Sequence, residues 1–144
     1  DVKEKEYLYR IMNTRIYDPF EHGRVWFVGR PITDDGLLRI NEAAKHFIGK
    51  YDFSTFMSEG SDVEDTVRNV TALSAVRKGD MIEICISADG FLYNMVRIIV
   101  GTLCEVAFGR ISPGEIPDII ASRDRSRAGM TAPAEGLYLN SVKY

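Results

Sequence analysis

Arg97 is the most unusual residue of the sequence by its context. It lies within the stretch YNMVRIIV at 93–100, where apolar side chains flank it on both sides. A cation in such a place must reach water or find a partner, because burying it unpaired is costly. Two interpretations stay open: a side chain that snorkels from a helix edge to solvent, or a buried guanidinium that pairs with a carboxylate in bidentate fashion. Gly101, one turn further on, leaves room for a close approach.

Tyr7 and Tyr9 form a second group of interest, since they alternate onto one face of a predicted strand. Aromatic side chains on a sheet face are a usual platform for unstacked bases, although they more often belong to a core or an interface. A third group is suited either to bind phosphates or to form a solvated charged loop. It comprises Arg123, Arg125, Arg127 and Thr131.

Other kinds of chemistry find no support in the sequence. His22 and His46 are far from each other and from Cys85 and Cys104, so no metal-ligand spacing is present. No paired carboxylates, nucleophile with a histidine base, or phosphate-cradling glycine motif is found either. We therefore expect no metal site, and the residues alone do not define a reaction.

Composition predicts one globular domain. The 144 residues are 45% hydrophobic and carry a formal net charge of -3, which argues against a generic nucleic-acid binder without excluding one. Both cysteines lie in apolar stretches and are expected to be buried thiols in a reducing compartment. No signal peptide is visible, and Arg97 and Glu105 interrupt the longest apolar stretch, 95–108. These features predict a cytoplasmic protein.

Hydrophobic periodicity predicts an α+β fold, with a mostly antiparallel sheet and helices packed on one face. We expect a helix at 34–48, with Thr33 as N-cap and Gly49 as C-cap. A second helix should run from Met95 until Gly109 closes it, and residues 51–65 should be irregular. Strands are predicted at 6–16, 25–28, 66–76, 81–88 and 137–144, and a short helix with a capping box at 113–122.

Two long motifs carry a resemblance to a known family. They are GFLYNMVRIIVGTL at 90–103 and TAPAEGLYL at 131–139, with Asp124-Arg125 and Ala128-Gly129 just before the second. Weaker matches are YLYRI at 7–11, DFSTF at 52–56 and TVR at 66–68. In this order they resemble the C-terminal half of the bacterial tRNA pseudouridine synthase A family.

The resemblance implies an RNA-modifying isomerase that acts without a cofactor. Its substrate would be uridine in the anticodon stem-loop of tRNA, at tRNA positions 38 to 40, and its assembly a homodimer, with no DNA or membrane partner. The family nucleophile is an aspartate in an Arg-Thr-Asp-x-Gly-Val-His-like motif of the N-terminal half, which is not found here. Residues 1–144, which begin with Asp rather than Met, are therefore expected to be a C-terminal domain that is inactive alone.

Roles for single residues also follow from the resemblance. Tyr7 matches the tyrosine that stacks on the flipped uracil, Arg97 the arginine that pairs with the catalytic aspartate, and Leu137 a leucine packed against the base. Asn94 and Arg125 are predicted to be further substrate-binding residues.

Tyr51 departs from the family pattern, in which a histidine or a small polar residue precedes Asp-Phe. Two other functions remain as alternatives. One is a non-catalytic α+β RNA-binding module. The other is an assembly or regulatory domain that binds no RNA.

Overall fold

A computed structural model describes residues 2–144 and contains one six-stranded sheet and three α-helices. In chain order the elements are β1 (Glu4–Met12), β2 (Trp26–Phe27), α1 (Asp34–Lys45), β3 (Gly49–Asp52), β4 (Val67–Lys78), β5 (Met81–Ala88), α2 (Met95–Ala107), α3 (Ile116–Ser122) and β6 (Leu137–Lys143). Short 3-10 turns, among them 54–56, 113–115 and 125–127, connect several of them. The architecture confirms the α+β prediction.

The sheet has the strand order β2-β1-β5-β4-β3, and β6 also pairs with β1. Strand β1 offers one edge to β5 over residues 5–12, so β6 and β2 share its other edge, at residues 4–9 and 11–12. All pairings are antiparallel except that of β1 with β2. The mostly antiparallel sheet and the β4–β5 hairpin are therefore confirmed.

The hydrophobic core lies between one face of the sheet and the helices α1 and α2. Tyr9 and Ile11 of β1 are fully buried there, and Ile84 of β5 is 1% exposed, as the period-two alternation predicts. On the opposite face Leu8 and Cys85 are only half-buried. Cys85 thus differs from the expectation of a buried thiol, because it points away from the helices, whereas Cys104 is buried in α2.

Helix α1 begins as predicted but ends early. The Thr33 hydroxyl accepts a 3.0 Å hydrogen bond from the Gly36 N–H, which confirms the N-cap. The helix ends at Lys45, three residues before the predicted end, and Gly49, with a φ of 138°, begins β3 rather than capping the helix.

The later helix ends follow the prediction more closely. Gly109, with a φ of 79°, follows the last turn of α2, where the left-handed conformation favours glycine. The Glu115 carboxylate accepts a 2.6 Å hydrogen bond from the Ser112 N–H, which confirms the capping box; a 3-10 turn at 113–115 precedes α3. Among residues 2–144, no helix is both long and apolar enough to cross a lipid bilayer.

Two strand predictions are wrong in detail. Strand β1 ends at Met12 rather than Ile16, because the Asn13 side chain turns to the following loop. Its amide donates to the carbonyls of Val28 and Arg30 at 2.9 and 2.8 Å. Strand β3 lies partly in the segment predicted to be irregular. It is a polar edge strand of four residues. Among residues 2–144 it pairs with β4 alone, and this explains its weak sequence pattern.

Candidate active site

A pocket of about 230 Å³ lies where β1, the start of α2 and the start of β6 meet. Its walls include Tyr7 from β1, Leu137 from β6, and residues 91–97. The pairing of β1 with β6 sets Leu137 opposite Tyr9, two positions along from Tyr7 on the same face. Four of the five residues predicted for the site therefore line one pocket: Tyr7, Asn94, Arg97 and Leu137.

Arg97 is anchored by two hydrogen bonds. Its Nε donates to the Ala132 carbonyl oxygen at 2.7 Å, and its Nη1 donates to Asn94 Oδ1 at 3.1 Å. Its neighbours Val96 and Ile98 are buried, and Arg97 itself is half-buried. Within residues 2–144, no carboxylate lies within ion-pairing distance of the guanidinium and Nη2 makes no hydrogen bond. The geometry therefore holds Arg97 in one orientation with a free donor.

Asn94 precedes α2 in the left-handed conformation, with φ 60° and ψ 14°. Asparagine tolerates this region better than most residues. Its side chain caps no helix N–H. The amide nitrogen instead donates to Ser58 Oγ at 3.0 Å, while the amide oxygen receives Arg97. The Ser58 N–H also donates to the Tyr93 carbonyl at 3.1 Å, so Ser58 fixes both the turn before α2 and the Asn94 side chain.

The two tyrosines of β1 have different environments. The Tyr7 ring is half-buried and packs edge-to-face on Phe91, with 5.1 Å between ring centroids and 85° between ring planes. Tyr9 is fully buried, and its hydroxyl donates to the Pro133 carbonyl at 2.6 Å. Burial, with smaller contributions from nearby charges, raises the pKa of Tyr9 well above its ordinary value. Of these two tyrosines, Tyr7 is therefore the one that lines the pocket.

Arg125 does not line the pocket. Its Nη1 donates to the Gly129 carbonyl at 2.8 Å, and its Nη2 donates to the Thr131 hydroxyl at 3.2 Å. These bonds hold the segment 128–133, which carries the Ala132 carbonyl that receives Arg97. The structure thus connects Arg125 with Arg97 through the backbone of this segment.

The segment 128–133 packs directly on α2 at Gly101. A Cβ added to Gly101 would lie 1.8 Å from the Met130 carbonyl oxygen, so no other residue fits without displacement of the backbone. The Gly129 N–H donates to the Thr102 hydroxyl at 2.9 Å, which adds a second contact. The structure therefore shows the expected close approach at Gly101, and the group that approaches it is the backbone carbonyl of Met130.

Sequence reasoning missed Ser58, Phe91 as the partner of Tyr7, and the Ala132 carbonyl. No pattern in the polar loop 57–65 indicates that it returns to the start of α2, so the contact of Ser58 with Asn94 could not be predicted from the sequence. A backbone carbonyl has no side-chain signature at all. Within the described part of the chain, no cluster of three or more His, Cys, Asp or Glu side chains is placed to hold a metal ion.

Comparison with known proteins identifies the family. The profile of the family described as tRNA pseudouridine synthase matches residues 43–144, which is more than half of the chain. The chain belongs to this family, which confirms the resemblance carried by the motifs at 90–103 and 131–139.

Similar proteins are called tRNA pseudouridine synthase A. The one from Acetivibrio thermocellus is 47% identical over 142 residues, which cover 99% of this chain and 57% of the relative. The one from Brevibacillus brevis is 44% identical over 144 residues, which cover 100% of this chain and 58% of the relative. The chain thus spans somewhat more than half the length of these relatives.

Proposed function

We propose that the protein isomerises uridine to pseudouridine in the anticodon stem-loop of tRNA, at tRNA positions 38 to 40. The observation that carries the proposal is the state of Arg97, which is half-buried, fixed by Ala132 and Asn94, and lies beside Tyr7 without a carboxylate partner within residues 2–144. Membership of the tRNA pseudouridine synthase family and the names of the relatives support the substrate.

The reaction breaks the bond between ribose C1′ and uracil N1, turns the base, and joins C1′ to C5. N1 gains a proton and C5 loses one, so atoms and electrons balance without an oxidant or a reductant. The uracil must first leave the stem-loop stack, which costs a few kcal/mol. Stacking on Tyr7 offsets about 1–3 kcal/mol of this cost, while Leu137 packs against the base.

The proposed partner of Arg97 is a carboxylate that residues 2–144 do not supply. The proposed nucleophile is an aspartate from the other part of the complete protein, and it must be ionised in a site that excludes water. A guanidinium next to a carboxylate lowers the pKa of that carboxylate and keeps it charged. The free Nη2 and the unused donor of Nη1 suit this role, because the planar fork of arginine matches a carboxylate.

Residues 1–144 would then be a C-terminal domain that completes its active site with a second domain. The uncovered face of the sheet and the free outer edges of β3 and β6 are surfaces on which another domain or a second copy can pair. We propose a homodimer of the complete protein, working in the cytoplasm on tRNA. Sedimentation of the complete protein tests the dimer.

The deciding experiment compares this chain with the product of its full reading frame. An anticodon stem-loop RNA labelled with tritium at uracil C5 releases the label when C1′ joins C5. We expect release with the complete protein and none with residues 1–144 alone. Release by residues 1–144 alone would mean that one of their own aspartates does the chemistry. If the complete protein binds the RNA but releases no tritium, a non-catalytic RNA-binding module is favoured. If it does not bind the RNA even at low salt, a domain unrelated to RNA is favoured.

A further inference from the structure

A second pocket, of about 420 Å³, opens beside the edge strand β3, outside the site of Arg97. None of its lining residues lines the first pocket. Its polar and aromatic lining comes from the end of α1, from β3 and from the end of α3, namely Lys45, His46, Tyr51, Asp52 and Arg123. Lys45, His46 and Tyr51 are exposed. The pocket therefore presents cations and an aromatic ring to solvent.

Arg123 occupies a position that does not suit its residue type. It follows the last turn of α3 with φ 53° and ψ 25°, a conformation that costs most L-residues roughly 1–2 kcal/mol and that glycine adopts freely. Its side chain is 69% exposed, so packing does not account for an arginine at this place. A side chain kept at a strained backbone position suggests a role beyond folding.

Asp52 holds the Arg123 side chain over the pocket. Its Oδ2 lies 3.4 Å from Arg123 Nε, while its Oδ1 accepts hydrogen bonds from the Ser54 N–H at 2.9 Å and the Thr66 hydroxyl at 2.8 Å. The terminal nitrogens of Arg123 make no hydrogen bond to any residue of 2–144. With Nε beside a carboxylate, the terminal N–H groups of Arg123 stay available, and these are the groups that bind phosphate oxygens.

Tyr51 supplies an aromatic surface beside these cations. It is 43% exposed and packs edge-to-face on the buried Phe53, with 5.9 Å between ring centroids. Positive charge next to an exposed, well-supported aromatic ring is typical of surfaces that bind single-stranded or looped nucleic acid.

We propose that this pocket is a second contact for the RNA substrate, in which Arg123 and Lys45 bind backbone phosphates and Tyr51 packs against a neighbouring nucleotide. The proposal rests on the proposed function, because it concerns the same RNA. Asp52 belongs to the second site and Ser58 supports the first, and the two lie six positions apart along the chain. Even a fully extended segment of that length spans only about 20 Å, so one stem-loop can reach both sites.

The test uses Arg123→Gly in the complete protein. Glycine removes the side chain but suits the left-handed backbone, so we expect a melting temperature no lower than that of the wild type. We expect the dissociation constant for the stem-loop RNA to rise about three- to tenfold. The slope of log affinity against log salt concentration should decrease by about one, as for the loss of one phosphate contact. Lys45→Ala should act in the same direction.

Arg110→Ala is the matched control, since Arg110 is also an exposed arginine and pairs with Glu105 at 3.0 Å. Its charge change is identical, but it lies outside the second pocket. Equal affinity and equal salt dependence for the Arg123 and Arg110 variants would overturn the second contact while leaving the proposed function intact. A wild-type protein that neither binds nor modifies the RNA would overturn both.

Discussion

The Asn94 side chain accepts a hydrogen bond from Arg97 Nη1 at 3.1 Å, three residues further along the chain. The same amide donates to Ser58 Oγ, so its orientation is set from both ends. A residue that precedes a helix usually caps it, and Asn94 instead adopts a left-handed conformation that directs its side chain to the arginine. The residue before α2 thus orients the Arg97 guanidinium instead of capping the helix.

Arg97→Ala in the complete protein should nearly abolish pseudouridine formation while RNA affinity changes by less than about threefold. The reason is that the proposed role of Arg97 is to keep a carboxylate ionised, whereas RNA affinity is expected to come mostly from phosphate contacts elsewhere. Arg97→Lys should recover little activity, because a lysine cannot hold both Ala132 and Asn94 with the same planar geometry. Tritium release and filter binding separate the two effects. Wild-type turnover by Arg97→Ala would disprove the assignment.

Ser58→Ala should lower turnover about tenfold. Ser58 orients Asn94, which in turn orients Arg97, and a misoriented Arg97 would stabilise the proposed carboxylate less well. RNA affinity should stay unchanged, and Ser58→Thr should restore much of the rate by returning a hydroxyl. Ser61→Ala removes a hydroxyl from the same loop, where it accepts only from the Val63 N–H, and serves as the control. If both serine-to-alanine variants turn over at the wild-type rate, Ser58 has no positioning role.

Tyr9→Phe should destabilise the fold by about 1 kcal/mol, because it removes the buried hydroxyl that donates a hydrogen bond to the half-buried Pro133 carbonyl. Urea unfolding measures the loss. In the wild type, the raised pKa of Tyr9 stabilises the fold below the ordinary tyrosine pKa, and this contribution is lost as pH rises. Absorbance titration should therefore show one fewer tyrosine ionising before alkaline unfolding. Complete tyrosine ionisation in the folded protein would contradict this environment.

Thr66→Val should destabilise the fold by about 1 kcal/mol at neutral pH. Burial opposes ionisation of Asp52, but hydrogen bonds from Ser54 and Thr66 and the charge of Arg123 outweigh it and lower the pKa of its carboxyl. A lowered pKa gives stability that is present above the unfolded-state pKa and is lost as pH falls through the folded-state pKa. The difference in the free energy of unfolding between variant and wild type should therefore shrink below about pH 4. An undiminished difference at acid pH would show that Asp52 is not the cause.

Much of the fold is encoded locally and was predictable. Thr33 marks the start of α1 by its hydroxyl, and the alternation of β5 places Ile84 in the core. The predictions that were wrong concern features that depend on contacts between residues distant in the sequence. Strand β3 exists because β4 pairs with it, and β1 stops at Asn13 because that side chain bonds a loop fifteen or more residues away. No local pattern contains this information.

The site shows the same division. A charge inside an apolar stretch identified Arg97, and strand alternation identified Tyr7, since both signals are local. Arg125 belongs to a matching motif yet holds the backbone of Gly129 rather than lining the pocket. Ser58 reaches Asn94 across 36 residues, so only the folded chain brings the two together.

The close packing of the Met130 carbonyl on Gly101 has a consequence for the proposed binding of a base in the pocket. With that backbone against α2, and with Ala132 bonded to Arg97 through both its N–H and its carbonyl, the segment has little freedom left to lose when a base arrives. The entropy of ordering this wall of the pocket is paid once, during folding, and not again at each turnover. For the proposed reaction, the conformational change on binding must then come from the RNA, so we expect RNAs with loosely stacked anticodon loops to be the better substrates.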